Sequence, residues 1–172
     1  MRRAVLLFLV VVGGCAAAPS GSAPTSLAVG TLAANATVIR VVDGDTVVVD
    51  IAGSKETVRL IGIDTPETKK PNTPVQCFGP EASDFTKHLL PAGTALHLER
   101  DVEARDKYGR LLAYAYLAAD GTFVNLTIVR QGYARLLTIP PNVAHSGDFV
   151  AAARAAEQED AGLWGGCTGT AG

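Results

Sequence analysis

The chain has 172 residues, 48% of them hydrophobic and 19% charged, which excludes a disordered tail or a coiled coil and leaves one globular domain with its own core. Fifteen Lys and Arg stand against seventeen Asp and Glu, a formal charge of -2. Bulk charge therefore lacks the positive field that marks most nucleic-acid binders.

Met1, Arg2 and Arg3 form a basic start, and Ala4 to Val12 is an unbroken apolar run. A membrane-crossing helix needs about 20 such residues, so the run suits the core of a secretory leader instead. Val12-Gly13-Gly14-Cys15 follows, with small residues before a cysteine as in a bacterial lipoprotein box. Residues 1–14 are thus expected to be removed and Cys15 to carry lipid; cleavage after Ala16-Ala17-Ala18 is disfavoured by Pro19. Loss of the leader takes Arg2 and Arg3 with it, leaving 13 basic against 17 acidic residues and a charge of -4. The expected location is outside the cytoplasm, anchored to the cell membrane, or secreted if the chain is cut from its tether.

Residues 16–34 contain no charge and are dominated by Ala, Ser, Pro, Gly and Thr. They cannot bury enough apolar surface to offset their ordering entropy. The lipidated Cys15 and residues up to 34 are therefore expected to form a tether, spanning roughly 24 Å if flexible. The folded domain is expected over residues 35–168, with a short tail at 169–172.

The domain opens with β signals. Residues 37–42 and 46–51 are β-branched runs separated by Asp43-Gly44-Asp45, a hairpin sequence. A third run, 56–63, follows Gly53 and Ser54. Gly79-Pro80-Glu81 places Pro at a first helical position and an acid in the first turn, predicting a helix to Leu90, stopped before Pro91. Strands are predicted over 94–100 and 111–117. A second helix is predicted over 124–131 and a third over 147–160, where Phe149, Ala152, Ala153 and Ala156 share one face. Leu163-Trp164 then serves as an apolar plug. Five short strands with helices inserted and appended give the α+β class, a five-stranded OB-type β-barrel with three α-helices.

With Cys15 given to lipid, Cys77 and Cys167 remain as an even pair in an oxidising compartment, and a disulfide between them is expected. Two lone cysteines lack the short paired spacing of a zinc site. His88, His97 and His145 have no His or Cys at i+3 or i+4 and are expected on solvated faces.

A hairpin turning on Gly53 and Ser54 places Asp45 beside Gly62 to Asp64. Two carboxylates then meet at one barrel rim, followed by Thr65-Pro66-Glu67. Such hard oxygen donors suit Ca²⁺ or Mg²⁺ better than a transition metal. Each piece alone has a structural explanation, since Asp-Gly makes hairpins and Asp-Thr-Pro-Glu makes turns. Arg59 precedes the same rim, however, and Asp106-Lys107-Tyr108-Gly109-Arg110 brings a second guanidinium. On a straight strand Arg59 and Asp64 would stand roughly 16 Å apart, so their convergence requires strong coiling of the barrel.

In these residues the sequence resembles the staphylococcal nuclease (thermonuclease) family. The match runs through Val42-Asp43-Gly44-Asp45-Thr46, Arg59-Leu60, Asp64-Thr65-Pro66-Glu67-Thr68, Gly79-Pro80-Glu81-Ala82-Ser83, Asp106 to Arg110, Ala113-Tyr114, Val129-Arg130-Gln131-Gly132 and Leu163-Trp164. The resemblance implies that Asp45 and Asp64 bind Ca²⁺ through carboxylates and Thr65 through its main-chain carbonyl. It implies that Glu67 orients or deprotonates a water, that Arg59 and Arg110 grip the phosphate, and that Lys107 and Tyr108 contact the nucleotide's terminal phosphate. Its implied activity is hydrolysis of DNA and RNA between phosphorus and the 5′ oxygen, leaving 3′-phosphate ends, by a monomer with no obligate protein partner. Where the family's type member offers two tyrosines to the nucleotide, this chain reads Leu137-Thr138-Ile139-Pro140-Pro141-Asn142. Stacking worth about 1–3 kcal/mol per base is thus missing there. The alternative reading is a nuclease-like module on the cell surface that binds nucleic acid or protein without cleaving it. Retention of Asp45, Arg59, Asp64, Glu67 and Arg110 together argues against it.

Overall fold

The turn after the second strand sets the register of the sheet. In the computed structural model, which describes residues 31–68 and 74–167, Ala52 and Gly53 both adopt positive φ (51° and 84°). That is the two-residue hairpin turn whose twist matches the flanking strands. β2 (Thr46–Ile51) and β3 (Ser54–Leu60) therefore pair with Ile51 opposite Ser54 and Thr46 opposite Arg59. The register is shifted from the one expected around Gly53 and Ser54, and Asp45 faces Leu60, whose N–H donates to its main-chain carbonyl at 2.9 Å.

The predicted single strand over 56–63 is two strands. Gly62 takes φ +85°, which breaks the ladder after Leu60 and starts β4 (Gly62–Asp64) on a new course. β4 leaves the barrel and pairs antiparallel with β7 (Arg135–Leu137), placing Asp64 opposite Arg135 and Gly62 opposite Leu137. The three residues of β7 are too few to show a strand period.

β1 (Ala36–Asp43), β5 (Ala95–Glu99) and β6 (Leu111–Leu117) complete a closed barrel in the order β1-β2-β3-β6-β5, with β3 and β6 parallel and the other pairs antiparallel. Its interior is filled by Val38, Val47, Val49, Val58, Leu60 and Leu96, alternate residues of their strands. α1 (Gly79–Leu89) carries Pro80 and Glu81 in its first turn and packs on β1. α2 (Val124–Arg130) and α3 (Ser146–Gln158) pack on each other, and the predicted face of α3, Phe149, Ala152, Ala153 and Ala156, is buried. A single turn, α4 (Leu163–Gly166), buries Leu163. The fold is thus an OB-type barrel of the α+β class with three main helices.

Cys77 and Cys167 are joined by a disulfide, tying the segment before α1 to the end of α4. His145 corrects the expectation of a solvated face: its ring packs edge-on to Tyr114 and Phe123, with centroids 4.6 and 5.0 Å away. The expected leader, Cys15, the tether as far as residue 30 and the tail at 169–172 lie outside the described residues.

Candidate active site

The turn Asp43-Gly44-Asp45 is held from three sides by threonines. Thr65 donates its main-chain N–H and its hydroxyl to Asp45 Oδ2, both at 3.1 Å. Thr68 donates its hydroxyl to Asp43 Oδ1 (2.9 Å), and Thr86 on α1 donates to the Gly44 carbonyl (2.7 Å). Glycine is required at 44 because a Cβ there would lie 2.7–2.8 Å from the Thr65 side chain. The short turn and the segment after β4 are therefore packed against each other, and that contact carries Asp45 to Asp64.

The break at Gly62 does the rest. Arg59, at the end of β3, folds its guanidinium under the loop that follows: Nη1 donates to the carbonyls of Leu60 (2.6 Å) and Ile63 (2.8 Å). Nη2 lies 3.1 Å from Asp45 Oδ2 and 3.3 Å from Asp64 Oδ1. The separation expected along a straight strand is closed by this turn of the chain at Gly62 rather than by barrel coiling. Asn125 of α2, fully buried, fixes the loop from behind, donating to the carbonyls of Ile61 (2.9 Å) and Ala113 (3.3 Å) and accepting from Ala115 N–H (2.9 Å).

Four acids share this rim. Burial pushes the Asp43 carboxyl above its ordinary range, and the charges of Asp45 and Glu67 add to the rise against the hydrogen bonds from Thr68 and Gly44. Burial likewise raises Asp64, helped by Asp45 and Glu67 and opposed by Arg59 and Arg135. Glu67 is half-buried, and its position is set through its main chain, which exchanges hydrogen bonds with Gln76: Glu67 N–H to Gln76 Oε1 and Gln76 N–H to the Glu67 carbonyl, both 2.9 Å. Its carboxylate accepts the N–H of Thr68 at 3.0 Å.

The donor set fits a hard divalent cation. A positive group, Arg59 Nη2, already sits between the Asp45 and Asp64 carboxylates, both of them hard oxygen donors. Among the described residues no three Asp, Glu, His or Cys side chains close a cage by themselves. A cation here would be held by Asp45, Asp64 and the Thr65 carbonyl with water completing its shell, as loosely coordinated Ca²⁺ accepts.

Next to the rim lies a cavity of about 350 Å³ whose lining includes Arg59, Lys107, Tyr108 and Arg110 together with Leu112, Leu137 and Ile139. Arg110 is held by Asp106, Nε to Oδ2 at 2.7 Å. Lys107 Nζ and the Arg110 guanidinium both stand near the exposed Tyr108 ring, 5.1 and 5.4 Å from its centroid. The structure thus brings Asp45, Arg59, Asp64, Thr65 and Glu67 to one rim, with Lys107, Tyr108 and Arg110 around the cavity beside it. Sequence reasoning missed Asp43, which it took only for a turn residue, and Arg135, whose pairing with Asp64 depends on the unforeseen β7. It also missed Asn125, whose buried anchoring role leaves no local signal.

A family model described as "Staphylococcal nuclease homologue" matches residues 57–166. Asp43 and Asp45 lie ahead of that stretch; Arg59, Asp64, Thr65, Glu67, Lys107, Tyr108 and Arg110 fall within it. The protein named Thermonuclease from Staphylococcus intermedius is 45% identical over 125 residues, 73% of this chain and 73% of the relative. Thermonuclease from Staphylococcus hyicus is 43% identical over 127 residues, 74% of this chain and 73% of the relative. Endonuclease YncB from Bacillus subtilis (strain 168) is 43% identical over 132 residues, 76% of this chain and 61% of the relative.

Proposed function

The chain belongs to the staphylococcal nuclease family, and from that premise we propose that it is a Ca²⁺-dependent nuclease. It hydrolyses DNA and RNA with broad sequence tolerance, breaking the bond between phosphorus and the 5′ oxygen and leaving 3′-phosphate ends. The observation that carries this reading is the convergence of Asp45 and Asp64 on one cationic nitrogen, Arg59 Nη2, beside a cavity lined by Arg59, Lys107 and Arg110.

In-line attack on a phosphodiester needs charge stabilised on the equatorial oxygens and a water aligned opposite the leaving group. Asp45, Asp64 and the Thr65 carbonyl would hold Ca²⁺, which supplies Lewis-acid charge to a phosphate oxygen. Arg59 and Arg110 offer planar N–H forks to the other oxygens. Glu67 accepts a proton from, or orients, the attacking water. Lys107 and Tyr108 bind the terminal phosphate of the nucleotide. With a charge of -4 after loss of the leader, the protein grips phosphate in one pocket and holds the rest of the polymer weakly.

The test is digestion of single-stranded DNA by the purified protein with Ca²⁺, with EDTA, and with Ca²⁺ in the Arg59→Ala variant. Cleavage is expected in the first case, none with EDTA, and turnover lower by about 10²–10³ in the variant. Absence of Ca²⁺-dependent cleavage across the range from about pH 7 to about pH 10, where a carboxylate base is ionised, overturns the reading.

A further inference from the structure

The lining of the cavity beside the carboxylate rim is of two chemical kinds. Arg59, Lys107 and Arg110 are cationic, and Leu112, Leu137 and Ile139 are aliphatic. A phosphate is matched to the first by charge-assisted hydrogen bonds. The flat face of a nucleobase is matched to the second, where it loses contact with water against alkyl groups.

Two acids also line this cavity, Glu103 and Asp106. A carboxylate in a pocket for a polyanion is unfavourable by simple repulsion unless it is neutralised or meets donors of its own. Asp106 is neutralised: Oδ2 accepts from Arg110 Nε at 2.7 Å, and Oδ1 accepts the N–H groups of Tyr108 and Arg110 at 2.9 and 3.0 Å. Glu103 differs: it is exposed, and among the described residues only its main chain, not its carboxylate, is engaged in a hydrogen bond. Its backbone, by contrast, is fixed at both polar groups. Asn142 Oδ1 accepts the Glu103 N–H (2.7 Å) and Asn142 Nδ2 donates to the Glu103 carbonyl (2.9 Å). Asn142 itself is buried and lines the same cavity three residues beyond Ile139. The clamp therefore ties Glu103 to the segment beyond Ile139.

We infer that Glu103 reads the Watson–Crick edge of a base lodged against Leu137 and Ile139, and that it selects guanine. An ionised carboxylate offers two acceptors and no donor. Among the common bases, guanine alone presents two adjacent donors on that edge, N1–H and N2–H. Adenine and cytosine place a ring-nitrogen acceptor beside their amine, and thymine and uracil flank one donor with two carbonyls. Each of these sets an acceptor against the carboxylate, leaving polar atoms unpaired, and unpaired polar atoms are what rejects a wrong ligand. The inference rests on the nuclease reading for the identity of the ligand and narrows its sequence tolerance.

The experiment is calorimetric titration of the purified protein with dGMP, dAMP, dCMP and dTMP, with inorganic phosphate as the control for the cationic lining alone. Sequencing of the ends left by digestion of a random single-stranded DNA pool gives the matching readout in catalysis. dGMP is expected to bind about tenfold or more tightly than the other three, in the range of a two-point base contact. That preference should vanish in Glu103→Gln, which presents one donor and one acceptor. Equal binding of the four nucleotides, no binding of any at millimolar concentration, or a guanine preference that survives Glu103→Gln overturns the assignment. Binding is read without turnover, so the two ideas fail separately. Guanine selectivity without cleavage removes only the nuclease reading, and cleavage without selectivity removes only the role of Glu103.

Discussion

Arg59 Nη2 lies 3.1 Å from Asp45 Oδ2, so the side chain proposed to hold phosphate is also the counter-ion of a carboxylate proposed to hold the metal. Both side chains are largely buried, and the same nitrogen reaches Asp64. A guanidinium and a divalent cation then compete for the same two carboxylates. Arg59→Ala is expected to lower turnover by about 10²–10³, the usual cost of one transition-state donor, while Ca²⁺ affinity holds or rises. Calorimetric Ca²⁺ titration checks the second half; a loss of Ca²⁺ affinity parallel to the loss of turnover contradicts the competition.

The disulfide closes a loop with a sequence separation of 90. Chain-entropy arguments give a loop of that size about 4–5 kcal/mol of stabilisation. The Cys77→Ala/Cys167→Ala double variant is expected to lose that amount in denaturant unfolding. Because Gln76, next to Cys77, holds the main chain of Glu67, turnover should also fall at temperatures where the variant is still folded. A stability change below about 1 kcal/mol, well under that range, rejects the expectation.

Alkaline stability should decline in a defined window. Burial, followed by the Asp101 carboxylate that accepts its hydroxyl at 2.9 Å, holds Tyr114 well above the ordinary tyrosine range. Burial, with Glu99 and Asp148, pushes Tyr116 up to about 12. The folded values lie above the unfolded value near 10, so the folded state binds these protons more tightly. Their stabilising contribution is complete below pH 10 and is lost as pH rises through the folded values. Tyrosinate absorbance should show Tyr114→Phe and Tyr116→Phe each removing one ionisation that coincides with alkaline unfolding. Ionisation of either residue near pH 10 in a still-folded protein contradicts this.

Anchoring is a separate proposal, founded on the sequence Val12-Gly13-Gly14-Cys15. Cys15→Ser should move the protein from the membrane fraction to the soluble extracellular fraction, since a lipid chain contributes about 0.8 kcal/mol per buried CH₂. Unchanged membrane retention of the variant refutes lipidation at this position.

Much of this protein is legible in its sequence because turns and strands write their requirements locally. Asp43-Gly44-Asp45 marks a hairpin, the β-branched runs mark barrel strands, and Pro80-Glu81 marks the start of α1. The order of Asp45, Arg59, Asp64, Thr65, Glu67, Lys107, Tyr108 and Arg110 is enough to single out the family and the candidate chemistry. The spacing of those residues in space is another matter. The register of β2 against β3 followed from a positive φ at Ala52, which no propensity of alanine announces. Arg59 meets Asp64 because Gly62 turns the chain, and that turn is stabilised by Asn125, 64 residues on from Ile61. Asp43 is fixed at the rim by Thr68, and Glu103 is tied to the segment beyond Ile139 by Asn142, 39 residues away. Such contacts lie between segments with no shared period or motif. Packing brings them together, and tertiary structure alone decides which polar atoms are left to meet a ligand.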